Sequence, residues 1–185
     1  SESTLIARDA AIAGYEGGRI HIQHLSARES VEAIADAKAR GVQITCEASP
    51  HHLTLTDEAV AEKLDTRLKM NPPLRTEDDR QALIQGLKDG TIDCIATDHA
   101  PHALEEKEVP FEEAPMGTTG LETAFAAVYT DLVVPGVLPL GLVVDTPGVL
   151  AEHVELARAG RVLQAEHGLG VEEVLLSPAP PLVLA

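Results

Sequence analysis

Short apolar runs alternate with longer amphipathic stretches along the first hundred residues. The short runs are rich in Ile, Val and Thr, as β-strands are, and lie at 19–23, 42–47 and 92–97. The longer stretches repeat apolar residues at helical spacing and lie at 4–14, 27–40, 56–63, 76–87 and 119–132. Strands that alternate with helices at short intervals predict parallel βαβ units and an α/β fold.

Capping residues mark the start of two of these helices. Ser26 precedes the second predicted helix and is followed three residues later by Glu29, which predicts a capping box. Thr76 and Asp79 have the same spacing at a later helix. We therefore expect both helices to begin with a cap formed by side chains close in sequence.

The strand count predicts part of a (β/α)8 TIM-type barrel. A complete barrel takes about 250 residues, whereas this chain of 185 residues has three predicted strands before residue 100. We expect residues 1–140 to form the second half of such a barrel, in a chain that lacks the first half. Residues 141–185 are left unassigned, with a helical pattern at 150–166 and a Pro-rich end at 177–185. Half a barrel leaves two open sheet edges, so we expect self-association or a complementary chain.

The composition of the chain disfavours some classes of binding partner and indicates the character of its core. The formal net charge of -16 disfavours nucleic acid. No stretch of about 18 apolar residues and no signal-peptide pattern is present, so we expect no contact with a membrane. Aromatic residues make up 2% of the chain and Trp is absent, so the core should be aliphatic. Cys46 and Cys94 fall in predicted strands, which indicates buried, reduced thiols in a cytoplasmic protein.

Reactive side chains follow the first and third predicted strands directly. His24 comes after the first, and Asp98 lies in the segment Thr-Asp-His-Ala-Pro-His at 97–102 after the third. Barrel enzymes keep their chemistry at this end of the strands. A carboxylate there can bind zinc and move a proton, and imidazole is the commonest zinc ligand. His21, three residues before His24, is expected to face the outside of the barrel or to make a layer contact.

Further polar groups lie in three loops. The first follows the second strand and contains His51 and His52; side chains of adjacent residues in extended backbone point apart, so at most one of them should face a site, or both organise the loop. The second holds Asn71 before two prolines, which stiffen it either to recognise a planar amide or as a rigid connector. The third, 103–118, is long and polar, as loops that cover active sites often are.

These segments resemble those of dihydroorotase, of the class I bacterial type within the amidohydrolase superfamily. The segment at 24–26 is similar to the family's HVS, and 47–52 is similar to its E-x-x-P-H-H. The segments KMNPPLR at 69–75 and DCIATDHAPH at 93–102 are close to the corresponding sequence motifs of the family. The resemblance covers roughly 4–135.

The resemblance implies a metal-dependent hydrolase. The family interconverts dihydroorotate and carbamoyl aspartate in pyrimidine synthesis and binds two zinc ions. By position, His24 and Asp98 would be zinc ligands, and Asp98 would also be the catalytic acid and base. The substrate-binding positions that it implies are Asn71, His102, Met116 and Gly117.

The chain also departs from the family's pattern. Four features of the family are not found in the sequence. They are the H-x-H pair, the carboxylated Lys or bridging Asp, a further His ligand, and the Arg that binds the substrate carboxylate. With two of the ligands present, we expect the chain by itself to bind metal weakly or to be inactive. Some relatives hold an extra metal through a Cys where this chain has Gln23. We predict no extra metal there, and Glu47 is left as a candidate for one.

Two alternatives remain open. One is a non-catalytic, dihydroorotase-like subunit that serves as a scaffold for aspartate transcarbamoylase, which the missing half favours. The presence of His24, Asn71, Asp98 and His102 argues against it. The other is an allantoinase-like or hydantoinase-like hydrolase, which the residues of the NPPLR and DHAPH segments disfavour.

Overall fold

Three parallel strands form a sheet within residues 2–144, the part of the chain that the computed structural model describes. The strands, in their order across the sheet, are β1 (Arg19–Ile22), β2 (Gln43–Ala48) and β3 (Cys94–Ile95). Ile20 of β1 pairs with Ile44 of β2, and Glu47 of β2 pairs with Cys94 of β3. Both connections contain helices, so the predicted parallel βαβ arrangement is confirmed.

Helices make up most of the remaining described residues. They are α1 (Glu2–Glu16), α2 (Arg28–Ala39), α3 (Pro50–Thr54), α4 (Asp57–Lys63), α5 (Glu77–Asp89), α6 (Leu104–Lys107), α7 (Ala124–Val128) and α8 (Leu140–Val144), with a 3-10 turn at Thr66–Leu68 and a π-helical turn at Tyr129–Val133. The helices predicted at 4–14, 27–40, 56–63 and 76–87 are therefore present, with ends that differ by a few residues.

Three elements differ from the prediction. β3 is shorter than the strand predicted at 92–97: its pairing with β2 covers Cys94–Ile95, and the chain turns at Asp98, which has a φ of 47°. The helix predicted from residue 119 begins at Ala124, because the segment before it folds against the strand end: the Gly120 N–H donates to His99 Nδ1 over 3.0 Å. Helix α3 was not predicted, although Pro50 in its first turn suits a helix start.

An aliphatic core, as the composition predicted, lies between the helices and one face of the sheet. Its members from α2, α5 and the strands include Ile34, Ala37, Leu83, Ile84, Leu87, Ile44, Cys46 and Ile95. Since Ile44 and Cys46 face this core, Thr45 and Glu47 point to the other face of the sheet. His21 lies there too, with its Nδ1 2.8 Å from Thr45 Oγ1. This is the layer contact that was one of its two expected placements.

Of the two predicted capping boxes, one is present and one is not. Thr76 and Asp79 cap each other at the start of α5, as predicted. The prediction for α2 is wrong, because its N-cap residue is Ala27 and the Ser26 hydroxyl donates instead to the Glu2 carboxylate. Side chains distant in sequence satisfy the first N–H groups of α2, with Asp79 Oδ1 accepting from Arg28 N over 2.9 Å.

The Glu2 carboxylate joins α1 to two segments that carry predicted site residues. It accepts from the Ser26 N–H over 3.0 Å and lies 3.7 Å from Arg75 Nη2, and Arg75 Nε donates to Ser26 Oγ over 3.1 Å. Burial raises the pKa of Glu2, but the hydrogen bonds from Ser26 outweigh it and leave the pKa below its usual value. The segment after His24 and the segment after Asn71 are therefore held by one partly buried carboxylate.

Residues 145–185 lie outside the described residues. They include most of the unassigned segment at 141–185, with its predicted helix at 150–166 and its Pro-rich end. Among residues 2–144, no helix has both the length and the apolar character needed to span a bilayer.

Replacing Glu2 by Ala should lower the free energy of unfolding by about 1–3 kcal/mol, because the buried donors of Ser26 and Ala27 lose their acceptor. Urea denaturation of the two proteins measures the difference. Glu16→Ala is the control, since Glu16 is exposed at the other end of the same helix. Equal losses for the two variants would contradict a structural role for the Glu2 contacts.

Candidate metal and substrate site

His24 and Asp98 share an unusual backbone conformation. Each follows a strand, and their φ angles are 38° and 47°, in the left-handed region that side-chain-bearing residues seldom adopt. Such a conformation costs free energy and occurs often at functional sites, although Leu64 at the end of α4 also has one, with a φ of 49°. The two residues predicted as metal ligands are therefore both held at a sharp turn at the end of their strands.

His51 joins these two residues. Its Nε2 lies 3.5 Å from Asp98 Oδ2. Both His51 Nε2 and His24 Nδ1 are buried without a hydrogen-bond partner. A buried nitrogen without a partner is costly, so each such atom in a folded protein calls for an explanation, and a bound ion is one.

The electrostatics of His51 suit a metal ligand. Burial lowers the pKa of His51 to about 3, and the neighbouring His52 and His24 add to the effect. His51 is therefore neutral at physiological pH, the form that binds metals. Burial also raises the pKa of Asp98; the Glu47 carboxylate adds to this rise and His24 opposes it.

The residues present fit a divalent metal ion. His24 and Asp98, the predicted ligands, would hold it, and His51 would either supply a third donor or orient the Asp98 carboxylate. The sequence interpretation expected at most one of His51 and His52 to face a site, and His51 is the one near Asp98. The reason differs, however, because the two residues lie on α3 and not on extended backbone.

His52 instead connects two loops. Its Nε2–H donates to the carbonyl oxygen of Pro72 over 2.9 Å, and its Nδ1 lies 2.6 Å from Ser49 Oγ. Burial lowers the pKa of His52 to about 4. The imidazole thereby holds the segment in which Asn71 is exposed and is joined to Pro72 by a cis peptide bond.

The other predicted substrate positions come together in the loop at 103–118. The His102 Nε2–H donates to the Met116 carbonyl over 2.8 Å, and the Gly117 N–H donates to the Lys69 carbonyl over 2.8 Å. A Cβ at Gly117, whose φ is 120°, would lie 2.7 Å from Ala100 Cβ. Only glycine therefore fits where the loop meets the segment that leads to Asn71.

Two lysines fasten this loop. Lys69 Nζ donates to the carbonyls of Phe111 and Glu112 over 2.8 and 3.0 Å. Lys107 Nζ donates to the carbonyls of Thr66 and Pro115 over 3.1 and 2.7 Å. The loop is therefore held closed against the 66–70 segment by cations on both sides of the contact, a feature that sequence analysis did not find.

His99 lies inside the predicted reactive cluster but has a structural contact. Its Nδ1 accepts from the N–H groups of Gly120 and Leu121 over 3.0 and 3.1 Å. The imidazole thus ties the residues after the loop to the strand end that carries Asp98. No local pattern distinguishes His99 from His102, because the contact depends on a segment twenty residues away.

Comparison with known proteins begins with sequence. No family model matches the chain. The dihydroorotase of Brevibacillus brevis is 55% identical over 145 residues, which is 78% of this chain and 34% of that protein. The dihydroorotase of Desulforapulum autotrophicum is 58% identical over 124 residues, 67% of this chain and 29% of that protein. Over these 124–145 residues, this chain is similar in sequence to dihydroorotases. It spans about a third of the length of the curated relatives that it matches.

Solved structures agree with the fold. The L-hydantoinase (dihydropyrimidinase) of Arthrobacter aurescens matches with a TM-score of 0.73 and 30% identity over 78% of this chain and 32% of that one. The D-hydantoinase (dihydropyrimidinase) of Thermus sp. matches with a TM-score of 0.69 and 30% identity over 76% of this chain and 32% of that one. The predicted fold, part of an amidohydrolase-type β/α barrel, is thereby confirmed.

Replacing His51 by Ala should weaken zinc binding about 10- to 100-fold, because Asp98 loses the imidazole beside it. Competition with a chromophoric chelator measures the affinity. In an Asp98→Asn background, the same replacement should have little further effect, since the two side chains act together. Independent, additive losses would show that His51 does not act at the Asp98 site.

Stability should fall as the pH is lowered from about 7 to about 4.5. The pKa values of about 3 for His51 and about 4 for His52 lie below the usual 6.5, so the unfolded chain takes up protons that the folded chain does not. The stabilisation is therefore complete above pH 6.5 and is lost below it. His52→Gln should reduce this pH dependence by about 2 kcal/mol in urea titrations. An unchanged pH dependence would contradict the buried, neutral imidazole.

Proposed function

We propose that this chain carries part of the active site of a zinc-dependent dihydroorotase, which interconverts dihydroorotate and N-carbamoyl-aspartate. The observation that supports this most is the closeness of His24, His51 and Asp98 near the ends of parallel strands, with two imidazole nitrogens buried without a hydrogen-bond partner. Identities of 51–58% to dihydroorotases support the choice of substrate.

Asp98 is the proposed acid and base. Because burial raises its pKa, its carboxylate is better suited to take a proton and return it than an exposed aspartate is. It would accept the proton of the attacking water and deliver it to the ring nitrogen as the bond between that nitrogen and the carbonyl carbon breaks. Zinc, when bound, would activate the water and polarise the carbonyl group.

The remaining residues would bind and enclose the substrate. The exposed amide of Asn71 can both donate and accept hydrogen bonds, as a cyclic amide or its carboxylate requires. His102, Met116 and Gly117 would lie against the substrate, with the loop at 103–118 excluding water. Lys69 and Lys107 would keep that loop in position.

A hydantoinase-like activity is the second candidate, because the solved structures that resemble this chain are hydantoinases. Their identity of 30% is well below that of the dihydroorotases, which favours dihydroorotate. We further propose that the chain acts in the cytoplasm as a homo-oligomer or with a complementary chain. A scaffold role beside aspartate transcarbamoylase is the alternative if no catalysis is found.

The test compares ring opening of dihydroorotate by the zinc-loaded chain and by its Asp98→Asn variant. We expect slow turnover for the chain, since its ligands are few, and a further loss of about 100-fold or more in the variant. Asp78→Asn is the control, because Asp78 is exposed at the start of α5. Faster opening of hydantoin than of dihydroorotate would favour the second candidate.

If turnover is too slow to measure, calorimetric titration with carbamoyl aspartate measures binding instead. Binding in the presence of zinc should be about tenfold weaker in Asn71→Ala, which removes a hydrogen-bonding group worth about 1.4 kcal/mol. If the zinc-loaded chain shows no binding and no turnover, the proposed function is contradicted. The scaffold role is then the remaining candidate.

A further inference from the structure

Three metal-binding side chains that the proposed function does not use lie together on the sheet. They are His21 of β1, Glu47 of β2 and Cys94 of β3. One ligand atom from each lies within 4.8 Å of the other two, and His21 Nε2 is 3.0 Å from Glu47 Oε2. Glu47 and Cys94 are buried, with 6% and 5% of their surface exposed.

The strand register brings these residues together. His21 pairs with Thr45, and Glu47, two residues farther along β2, pairs with Cys94. Residues at i and i+2 of a strand point to the same face, so Thr45 and Glu47 share the face opposite the core. Ile95 packs in the core, which places its neighbour Cys94 on that same opposite face. Three adjacent strands thus each provide one donor.

We infer that His21, Glu47 and Cys94 form a second metal site, for zinc or another divalent ion that accepts mixed nitrogen, oxygen and sulfur ligands. Imidazole, carboxylate and thiolate are the three ligand types that zinc uses in proteins. The metal would lie between His21 Nε2 and Glu47 Oε2, and the neutral imidazole would carry its proton on Nδ1, where Thr45 Oγ1 can accept it. The Cys94 thiol would release its proton to solvent on binding.

The surroundings of His21 suit a ligand. Its second ring nitrogen, Nδ1, already contacts Thr45 Oγ1 at 2.8 Å, which orients the ring and leaves Nε2 for the metal. In a tetrahedral zinc site, bonds of about 2.0–2.3 Å place the ligand atoms about 3.3–3.8 Å apart. Small side-chain rotations would therefore close the present separations, and the fourth position would be open to solvent.

This site has a different ligand set from the one proposed at His24 and Asp98. It shares Glu47 with the extra metal site considered in the sequence analysis, but Gln23 takes no part in it, and His21 and Cys94 supply the other ligands. Its thiolate gives it a spectroscopic property that a site of imidazole and carboxylate lacks. It can therefore be tested independently of the proposed function.

The experiment titrates the full chain, stripped of metal and kept reduced, with cobalt(II). We expect a thiolate-to-cobalt charge-transfer band in the near ultraviolet that saturates at one equivalent. Cys94→Ser should abolish the band. The matched control is Cys46→Ser, since Cys46 faces the core and burial raises its thiol pKa to about 12. The band should persist in that control and in Asp98→Asn, which disables the site of the proposed function.

A second variant guards against misfolding of Cys94→Ser. His21→Ala keeps the thiol and should weaken cobalt binding at least about tenfold, as loss of a ligand worth 1.4 kcal/mol or more requires. Circular dichroism in chelator checks that each variant is folded. The proposal is overturned if the chain gives no band, if the band survives Cys94→Ser, or if Asp98→Asn removes it.

Discussion

The parallel register of three short strands is the constraint on which both candidate sites depend. Parallel strands end at the same edge of a sheet, so the residues that follow β1, β2 and β3 meet there. His24, His51 and Asp98 come from three separate segments and reach one place for this reason. A shift of β1 by one residue against β2 would turn the side chains of β1 to the opposite face and separate His21 from Glu47.

The strand ends are held in place by polar contacts between segments that are distant in sequence. Glu2 holds the residues after His24, and Asp79 caps α2 as well as its own helix. His52 holds the loop that contains Asn71. These contacts are buried or partly buried, where an unpaired donor is costly, so each one restricts the position of a loop. The site is therefore supported by a network of side chains that do no chemistry themselves.

The two imidazole nitrogens without partners show where this network stops. Both ring nitrogens of His52 and the Nδ1 of His99 have partners, and these residues organise loops. His24 Nδ1 and His51 Nε2 are buried without a hydrogen-bond partner, and His51 Nε2 lies 3.5 Å from Asp98 Oδ2. The structural histidines and the candidate ligands therefore differ in what their ring nitrogens contact. The matched part covers about a third of the length of its dihydroorotase relatives, so those relatives contain much additional sequence.

The sequence by itself determined the element types, the parallel βαβ order, the aliphatic core and the family resemblance. Periodicity and local caps carry that information, as at Thr76 and Asp79, because the interactions involved are a few residues long. The sequence also indicated His24 and Asp98 as ligands, although their roles stay predictions.

Only the tertiary structure decided which face His21 occupies, which of His51 and His52 approaches Asp98, and what caps α2. It also showed that Cys94 lies with Glu47 while Cys46 faces the core. Each of these depends on strand register or on a partner more than twenty residues away. The identity of a residue specifies what it can bind, but which groups come within reach is set by the packing of the whole chain.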